Sequence, residues 1–104
     1  IDNTVQMNLL AAMADNDKAT DQVYNVAVND RTSLNQLYQM IEDRLVQRTT
    51  GLEKKEPIYR DFRAGDVRHS LADISKAKRL LGYHPKYMIP KGMDESIDWY
   101  INNL

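Results

Sequence analysis

The chain has 104 residues, with 14 Lys and Arg against 15 Asp and Glu, a net charge of -1 and no cysteine. This length accommodates one small domain. The balanced charge argues against a nucleic-acid-binding or membrane-surface protein, and a chain without cysteine has no disulfide, thiolate metal site or cysteine nucleophile. No apolar stretch is long enough to span a membrane and no secretory signal is recognisable, so we expect a cytoplasmic protein.

The first predicted element is a helix from about Asn3 to Ala14. Asp2 or Asn3 is expected to cap it. Its apolar residues recur at helical spacing: Val5, Leu9, Ala12 and Met13. The chain opens at Ile1 without a methionine and enters this helix at once. That fits either a processed chain or, as the sharper hypothesis, a position inside a longer polypeptide.

A strand and a second helix are predicted next. Residues 23–28, VYNVAV, are mainly β-branched and aromatic without strict alternation, which is typical of a buried strand. Ser33 and Gln36 form a capping box, with Thr32 as the alternative cap, for a helix that runs to about Gln47. The apolar stripe of this helix consists of Leu34, Leu37, Tyr38, Ile41 and Leu45.

The second half predicts two short extended segments, residues 58–62 and 68–72, followed by a third helix. Asp73 is expected to cap this helix, Gly82 to end it in the left-handed conformation, and Pro85 to prevent its continuation. Its apolar residues are Ile74, Ala77, Leu80 and Leu81. Its cations are expected on a solvated face: Lys76, Lys78 and Arg79.

A last helix is expected to open with Pro90 in its first position. Its inner stripe consists of Met93, Ile97, Tyr100 and Leu104. The whole inventory is therefore four main helices with two or three short strands, which predicts an α/β fold. A sheet this small shields its faces and edges poorly, so we expect the chain to be an incomplete part of such an architecture.

The turn at residues 63–66, Arg-Ala-Gly-Asp, has residue types suited to an anionic ligand. An arginine offers a planar fork of donors that matches two phosphate oxygens. Gly65 allows a positive φ or a close approach of the backbone to a ligand. Asp66 can accept from ribose hydroxyls or cap the turn. Such a tetrapeptide is more often a solvent-exposed turn, and Arg68 and His69 are more often surface residues beside a strand.

Several strings in the sequence resemble a known family. They are VYNVAVNDRTSLNQLYQMI, FRAGDVRHSLADISKAKRLLGYHP, GMDESIDWYINNL and the opening IDNTVQMNLLAA. Together they are similar to the C-terminal part of extended short-chain dehydrogenase/reductase enzymes that act on nucleotide sugars. The similarity is greatest to the bacterial UDP-N-acetylglucosamine 4-epimerase group of polysaccharide biosynthesis, an NAD-dependent epimerase/dehydratase family, and it covers essentially the whole chain.

The resemblance implies a role for three residues. Arg63 matches the arginine that binds the UDP diphosphate, and Asp66 matches the aspartate that contacts the uridine ribose. Ser70 holds the position beside the C2 substituent of the sugar, where a small side chain admits an N-acetyl group. The resemblance thus implies that residues 1–104 are the C-terminal substrate-binding lobe of an extended Rossmann-type enzyme, a UDP-GlcNAc/UDP-GalNAc 4-epimerase that is a homodimer at full length.

The sequence lacks the parts that would hold the cofactor and perform the chemistry. There is no glycine-rich NAD fingerprint. Only Tyr87 and Lys91 have the Tyr-x-x-x-Lys spacing, and Pro90 interrupts it. We therefore expect NAD in an N-terminal lobe outside this chain and no catalytic or metal-binding residue within it. Two alternatives stay open: the same lobe of another nucleotide-sugar dehydratase or dehydrogenase, and a non-catalytic helical interaction module.

Overall fold

A computed structural model describes residues 1–103 of the chain. It contains α1 (Asp2–Ala12), α2 (Leu34–Arg48), α3 (Ser75–Leu81) and α4 (Ile89–Asn103). The chain forms two compact units. Unit 1 comprises Ile1–Arg31 and Leu71–Met88, and unit 2 comprises Thr32–Ser70 and the segment that begins at Ile89. Leu104, predicted as the last residue of the α4 stripe, lies outside the described residues.

The prediction of an α/β fold is wrong: residues 1–103 hold four helices and no strand. Strands exist only where backbone groups pair with a neighbouring strand. In the predicted strand at residues 23–28, side chains donate hydrogen bonds to backbone carbonyls that would otherwise pair with a neighbouring strand. The Ala27 carbonyl accepts from the Tyr83 hydroxyl at 3.0 Å, and the Val23 carbonyl accepts from Lys76 Nζ at 3.0 Å. Residues 58–62 and 68–72 likewise form no strand.

The core of unit 1 lies between α1 and α3. Its buried residues are Met7, Ala19, Ile74, Ala77, Leu81 and Tyr83. The α3 stripe predicted from the sequence is therefore confirmed. The apolar residues whose spacing predicts α1 lie instead on its exposed side, with Val5 48 % and Leu9 57 % exposed. Met7 faces the core in their place, so α1 carries apolar residues on two faces.

The start of α1 differs from the prediction, since neither of the two candidate caps, Asp2 and Asn3, caps the helix. Ile1 occupies the N-cap position, and no side chain caps the helix. The Asn3 amide instead donates to the Tyr87 carbonyl at 2.7 Å and accepts from the backbone N–H groups of Lys86 and Tyr87 at 2.9 and 3.1 Å. Asn3 therefore fastens the segment that follows α3 to the first turn of α1.

Helix α3 ends as the sequence predicts but begins differently: Ile74 occupies its N-cap position without a side-chain cap, and Asp73, the predicted cap, lies one residue earlier. Asp73 Oδ1 accepts from the Ser75 N–H at 2.8 Å, and hydrogen bonds from Ser75 hold the pKa of the Asp73 carboxyl below its usual value. Gly82 ends the helix with φ of +65°, a conformation that favours glycine. The predicted stop at Gly82 is confirmed.

The prediction that Lys76 lies on a solvated face is wrong. Its ammonium donates to Gln22 Oε1 at 2.9 Å as well as to the Val23 carbonyl, and lies 5.0 Å from the centre of the Tyr24 ring. Each contact reaches a residue more than 50 positions away in sequence, so no local pattern reveals it. Lys76 thus helps to hold residues 22–24 against α3.

Unit 2 is built on the contact between α2 and α4. The predicted capping box of α2 is confirmed: Gln36 N–H donates to Ser33 Oγ at 3.2 Å, and Ser33 N–H donates to Gln36 Oε1 at 2.9 Å. Helix α4 begins one residue before Pro90, which lies in its first turn. Ile97 is buried as predicted, whereas Tyr100 is 51 % exposed and meets Trp99 edge to face.

Two arginines of α2 pair with two aspartates of α4. Arg44 Nε lies 2.7 Å from Asp94 Oδ1, and Arg48 Nε lies 2.7 Å from Asp98 Oδ1. Arg44 also donates to the carbonyls of Met40 and Pro90, each at 3.0 Å. The hydrogen bond and charge of Arg44 hold the pKa of the Asp94 carboxyl below its usual value.

The Asp94 pair predicts a pH-dependent stability. A carboxyl whose pKa is lowered on folding stabilises the protein above its unfolded-state pKa of about 3.9, and this contribution is lost as the pH falls through the lower folded value. We expect Asp94→Asn to unfold at lower urea concentration than wild type at pH 7, with the difference shrinking below about pH 4. The matched control is Glu95→Gln, because Glu95 makes no ion pair within residues 1–103. A difference that stays constant from pH 7 to the acid limit would contradict this role for Asp94.

Candidate functional site

The candidate site is a β-turn in unit 2. The Asp66 N–H donates to the Arg63 carbonyl at 3.2 Å, and Gly65, the third residue of the turn, has φ of +88°. A positive φ at this position is the pattern of a type II turn, in which glycine is preferred. A Cβ added at Gly65 would meet no atom within 4 Å. Backbone conformation, rather than lack of space, therefore explains the glycine.

The turn presents its charged side chains to solvent. Arg63, Asp66 and Ser70 are all exposed. The turn brings Arg63 and Asp66 together through the hydrogen bond between their backbones. Ser70 lies four residues further on, and within the described part of the chain no hydrogen bond links it to the turn. The structure thus joins Arg63 and Asp66 by a hydrogen bond, whereas Ser70 is close to them in sequence but not bonded to them.

Arg63 differs from the cations that hold unit 2 together. Arg44 and Arg48 are paired with aspartates of α4, and Lys54 is paired with Asp43. The Arg63 guanidinium makes no hydrogen bond or ion pair to any of residues 1–103. Its donors are therefore available to an anion from solution, and binding one would break no existing contact.

The segment that carries the turn is anchored at its start. The Tyr38 hydroxyl lies 3.1 Å from Glu42 Oε1 and also within hydrogen-bond distance of the Lys55 carbonyl, and these two acceptors share its single proton. The Lys55 N–H donates to Glu42 Oε1 at 2.7 Å. Partial burial and the neighbouring Glu42 carboxylate raise the pKa of Tyr38 above its usual value. These bonds tie the chain to α2 at Lys55, upstream of Arg63.

A further contact at the turn was not predicted from the sequence. The guanidinium carbon of Arg68 lies 4.2 Å from the centre of the Phe62 ring. This distance is well within the range of a cation–π interaction. The sequence shows an aromatic residue and an arginine on opposite sides of a glycine-containing turn, but this pattern is too common to predict a contact between them.

The described residues do not fit NAD. A dinucleotide turn needs closely spaced glycines, whereas the glycines of this chain, Gly51, Gly65, Gly82 and Gly92, are widely separated. The only Tyr-x-x-x-Lys pair does not lie on one helix, because α4 begins at Ile89, after Tyr87.

No helix within residues 1–103 combines the length and apolar character needed to cross a membrane.

Residues 2–96 match a family model described as GDP-mannose 4,6 dehydratase. The chain belongs to this family. The match covers both units, including the turn at residues 63–66. Membership of the GDP-mannose 4,6 dehydratase family confirms the predicted relationship to nucleotide-sugar epimerases and dehydratases, at the level of the family.

Two curated proteins extend this comparison. The chain is 36 % identical over 72 residues to "UDP-glucuronate 4-epimerase" of Thermodesulfobacterium geofontis, covering 69 % of the chain and 20 % of that protein. It is 29 % identical over 80 residues to "Protein CapI" of Staphylococcus aureus, covering 77 % of the chain and 22 % of that protein. The chain thus spans about a fifth of the length of these two relatives.

Proposed function

We propose that residues 1–104 are the C-terminal nucleotide-sugar-binding portion of a UDP-GlcNAc/UDP-GalNAc 4-epimerase. The observation that carries this proposal is the family match over residues 2–96. The matched region includes the exposed turn at residues 63–66, in which the Arg63 side chain makes no hydrogen bond or ion pair to residues 1–103. A relative named as a 4-epimerase favours this reaction type over a dehydratase. The proposal covers a longer enzyme in which NAD is held outside this chain.

Each of the three site residues has a distinct role in this proposal. Arg63 binds the diphosphate of UDP through its fork of N–H donors. Asp66, at the other end of the same turn, accepts hydrogen bonds from the ribose hydroxyls. Ser70 lies beside the C2 substituent of the sugar, where its small side chain leaves room for an acetamido group.

The contribution of this chain to catalysis is positioning. NAD would supply the hydride acceptor of the longer enzyme. The residues of this chain hold the UDP end of the substrate, so the sugar end can reorient while the substrate stays bound to the enzyme. Binding energy at a part of the substrate remote from the reacting carbon is used in this way by many enzymes.

A titration of the chain with UDP tests the binding role. In ¹H–¹⁵N NMR spectra at low salt, we expect UDP to shift the amide resonances of Arg63, Gly65 and Asp66. Uridine, which lacks phosphate, should bind more weakly. No response to UDP at about 10 mM would contradict the proposal and favour the interaction module. Equal affinities for UDP and uridine would contradict the proposal that Arg63 binds the diphosphate.

The role of Ser70 predicts a change in substrate choice. In the longer enzyme, Ser70→Tyr should lower kcat/KM for UDP-GlcNAc by about tenfold or more, because the larger side chain occupies the space of the acetamido group. Activity with UDP-glucose should change little. Ser70→Ala is the matched control, since it keeps the side chain small, and it should retain both activities. Equal losses with both sugars would contradict a position beside C2.

A second candidate function rests on the name of the Thermodesulfobacterium geofontis relative. That protein is called UDP-glucuronate 4-epimerase, and it shares 36 % identity with this chain over 72 residues. The same lobe would then hold UDP-glucuronate, with the same contacts from Arg63 and Asp66. A direct comparison of kcat/KM for UDP-GlcNAc and UDP-glucuronate in the longer enzyme decides between the two substrates.

A further inference from the structure

The contact between Phe62 and Arg68 places a second guanidinium at the base of the turn. Its carbon lies 4.2 Å from the ring centre, although Phe62 itself is 70 % exposed. Since residues 62 and 68 touch, they close a seven-residue loop. The β-turn of residues 63–66 lies inside this loop, and Arg63 directly follows Phe62 along the chain. One small loop therefore carries two arginines.

The contact with the Phe62 ring restrains the Arg68 guanidinium but leaves its N–H donors able to bind a ligand. The interaction with a ring uses the cationic group as a whole, and N–H donors that point away from the ring can still bind oxygen atoms. No carboxylate within residues 1–103 lies within 4.0 Å of the Arg68 guanidinium, in contrast to Arg44 and Arg48. The contact also removes rotamer freedom before a ligand arrives, which lowers the cost of ordering the side chain on binding.

The charges of the surrounding segment do not neutralise this second arginine. Residues 60–69 contain three arginines, Arg60, Arg63 and Arg68, and two aspartates, Asp61 and Asp66. In our proposed function Asp66 faces the ribose. A ligand with two negative phosphates offers one anionic group to each of the two arginines of this loop.

We propose that Arg68, held in place by the Phe62 ring, is a second phosphate-binding arginine that acts together with Arg63 on the diphosphate of the nucleotide. This inference rests on the proposed function, since it concerns the same ligand. Arg68 touches the phosphates, and Phe62 is a positioning residue that acts through it. A diphosphate fits this arrangement better than a single phosphate, because its two charged groups can each meet one guanidinium.

The test compares three variants of the 104-residue chain, titrated with UDP and with uridine. Arg68→Ala should weaken UDP binding about three- to tenfold and leave uridine binding unchanged. Phe62→Leu keeps both arginines but removes the ring, and should give a smaller loss that is again confined to UDP. Arg60→Ala removes the same charge from the same segment without touching the ring, and should change UDP binding by no more than about twofold.

The outcomes separate this inference from the proposed function. If Arg68→Ala loses no more affinity for UDP than Arg60→Ala, the second phosphate contact is overturned while the role of Arg63 stands. If Arg68→Ala weakens UDP and uridine equally, the contact only shapes the loop, which also overturns the inference. If the wild-type chain does not bind UDP, the proposed function itself fails. Because Arg68 is exposed, its variants are expected to fold, as far-UV circular dichroism will show.

Discussion

Replacement of Tyr83 by alanine is expected to lower the free energy of unfolding of unit 1 by about 3–5 kcal/mol. Tyr83 is fully buried, with 0 % of its surface exposed, and it lies in the core with Ile74 and Leu81. Its hydroxyl also donates to the Ala27 carbonyl at 3.0 Å. Loss of the ring leaves a cavity in the core of unit 1 and removes the donor to the Ala27 carbonyl. Urea denaturation followed by far-UV circular dichroism measures the loss.

Two further variants separate the ring from its hydroxyl. Tyr83→Phe keeps the ring and removes the hydrogen bond, and should cost about 1 kcal/mol. Tyr59→Ala is the control for the loss of a tyrosine, because Tyr59 is 72 % exposed, and it should change stability by no more than about 0.5 kcal/mol. Equal effects of Tyr83→Ala and Tyr59→Ala would show that Tyr83 is not a core residue. The single tryptophan, Trp99, belongs to unit 2, so its fluorescence reports separately on that unit.

Replacement of Arg63 by alanine is expected to weaken UDP binding about ten- to a hundredfold. A charge-assisted contact between arginine and phosphate contributes on the order of 1.5–3 kcal/mol, which corresponds to this range. The Arg63 guanidinium has no partner within residues 1–103, so its removal should cost no folding stability. The measurement is the Kd for UDP from NMR titration of the chain, together with kcat/KM of the longer enzyme for its UDP-sugar.

The control for Arg63 is a change that keeps the charge. Arg63→Lys retains a cation but lacks the planar fork, so we expect it to recover only part of the affinity. The loss in Arg63→Ala should also shrink as salt is added, because the arginine is exposed. Unchanged UDP affinity in Arg63→Ala would remove this residue from the proposed site, whatever the result for Arg68.

Local sequence signals correctly predicted the start of α2 and the end of α3. The capping box of Ser33 and Gln36 and the left-handed Gly82 both involve groups only a few residues apart, so their geometry depends on little else. The same holds for the turn at residues 63–66, where Gly65 adopts the positive φ that its residue type favours. Signals of this kind can be recognised without knowledge of the tertiary structure.

Two predictions that depended on a distant partner were wrong. Residues 23–28 have the composition of a buried strand, but a strand also needs a neighbour, and composition cannot show whether one is present. Lys76 was predicted to be solvated because its helix position faces away from the Ile74 stripe. It instead bonds to Gln22 and Val23, which approach α3 only in the folded unit.

The sequence by itself determined where α2 begins and where α3 ends, that a glycine turn carries Arg63 and Asp66, and which family the chain resembles. Only the tertiary structure decided that the extended segments form no sheet, that α1 turns Met7 rather than Leu9 toward the core, and that Phe62 holds Arg68. The physical reason is range: caps and turns are closed by neighbours in sequence, whereas strand pairing, burial and ring contacts depend on where the rest of the chain lies.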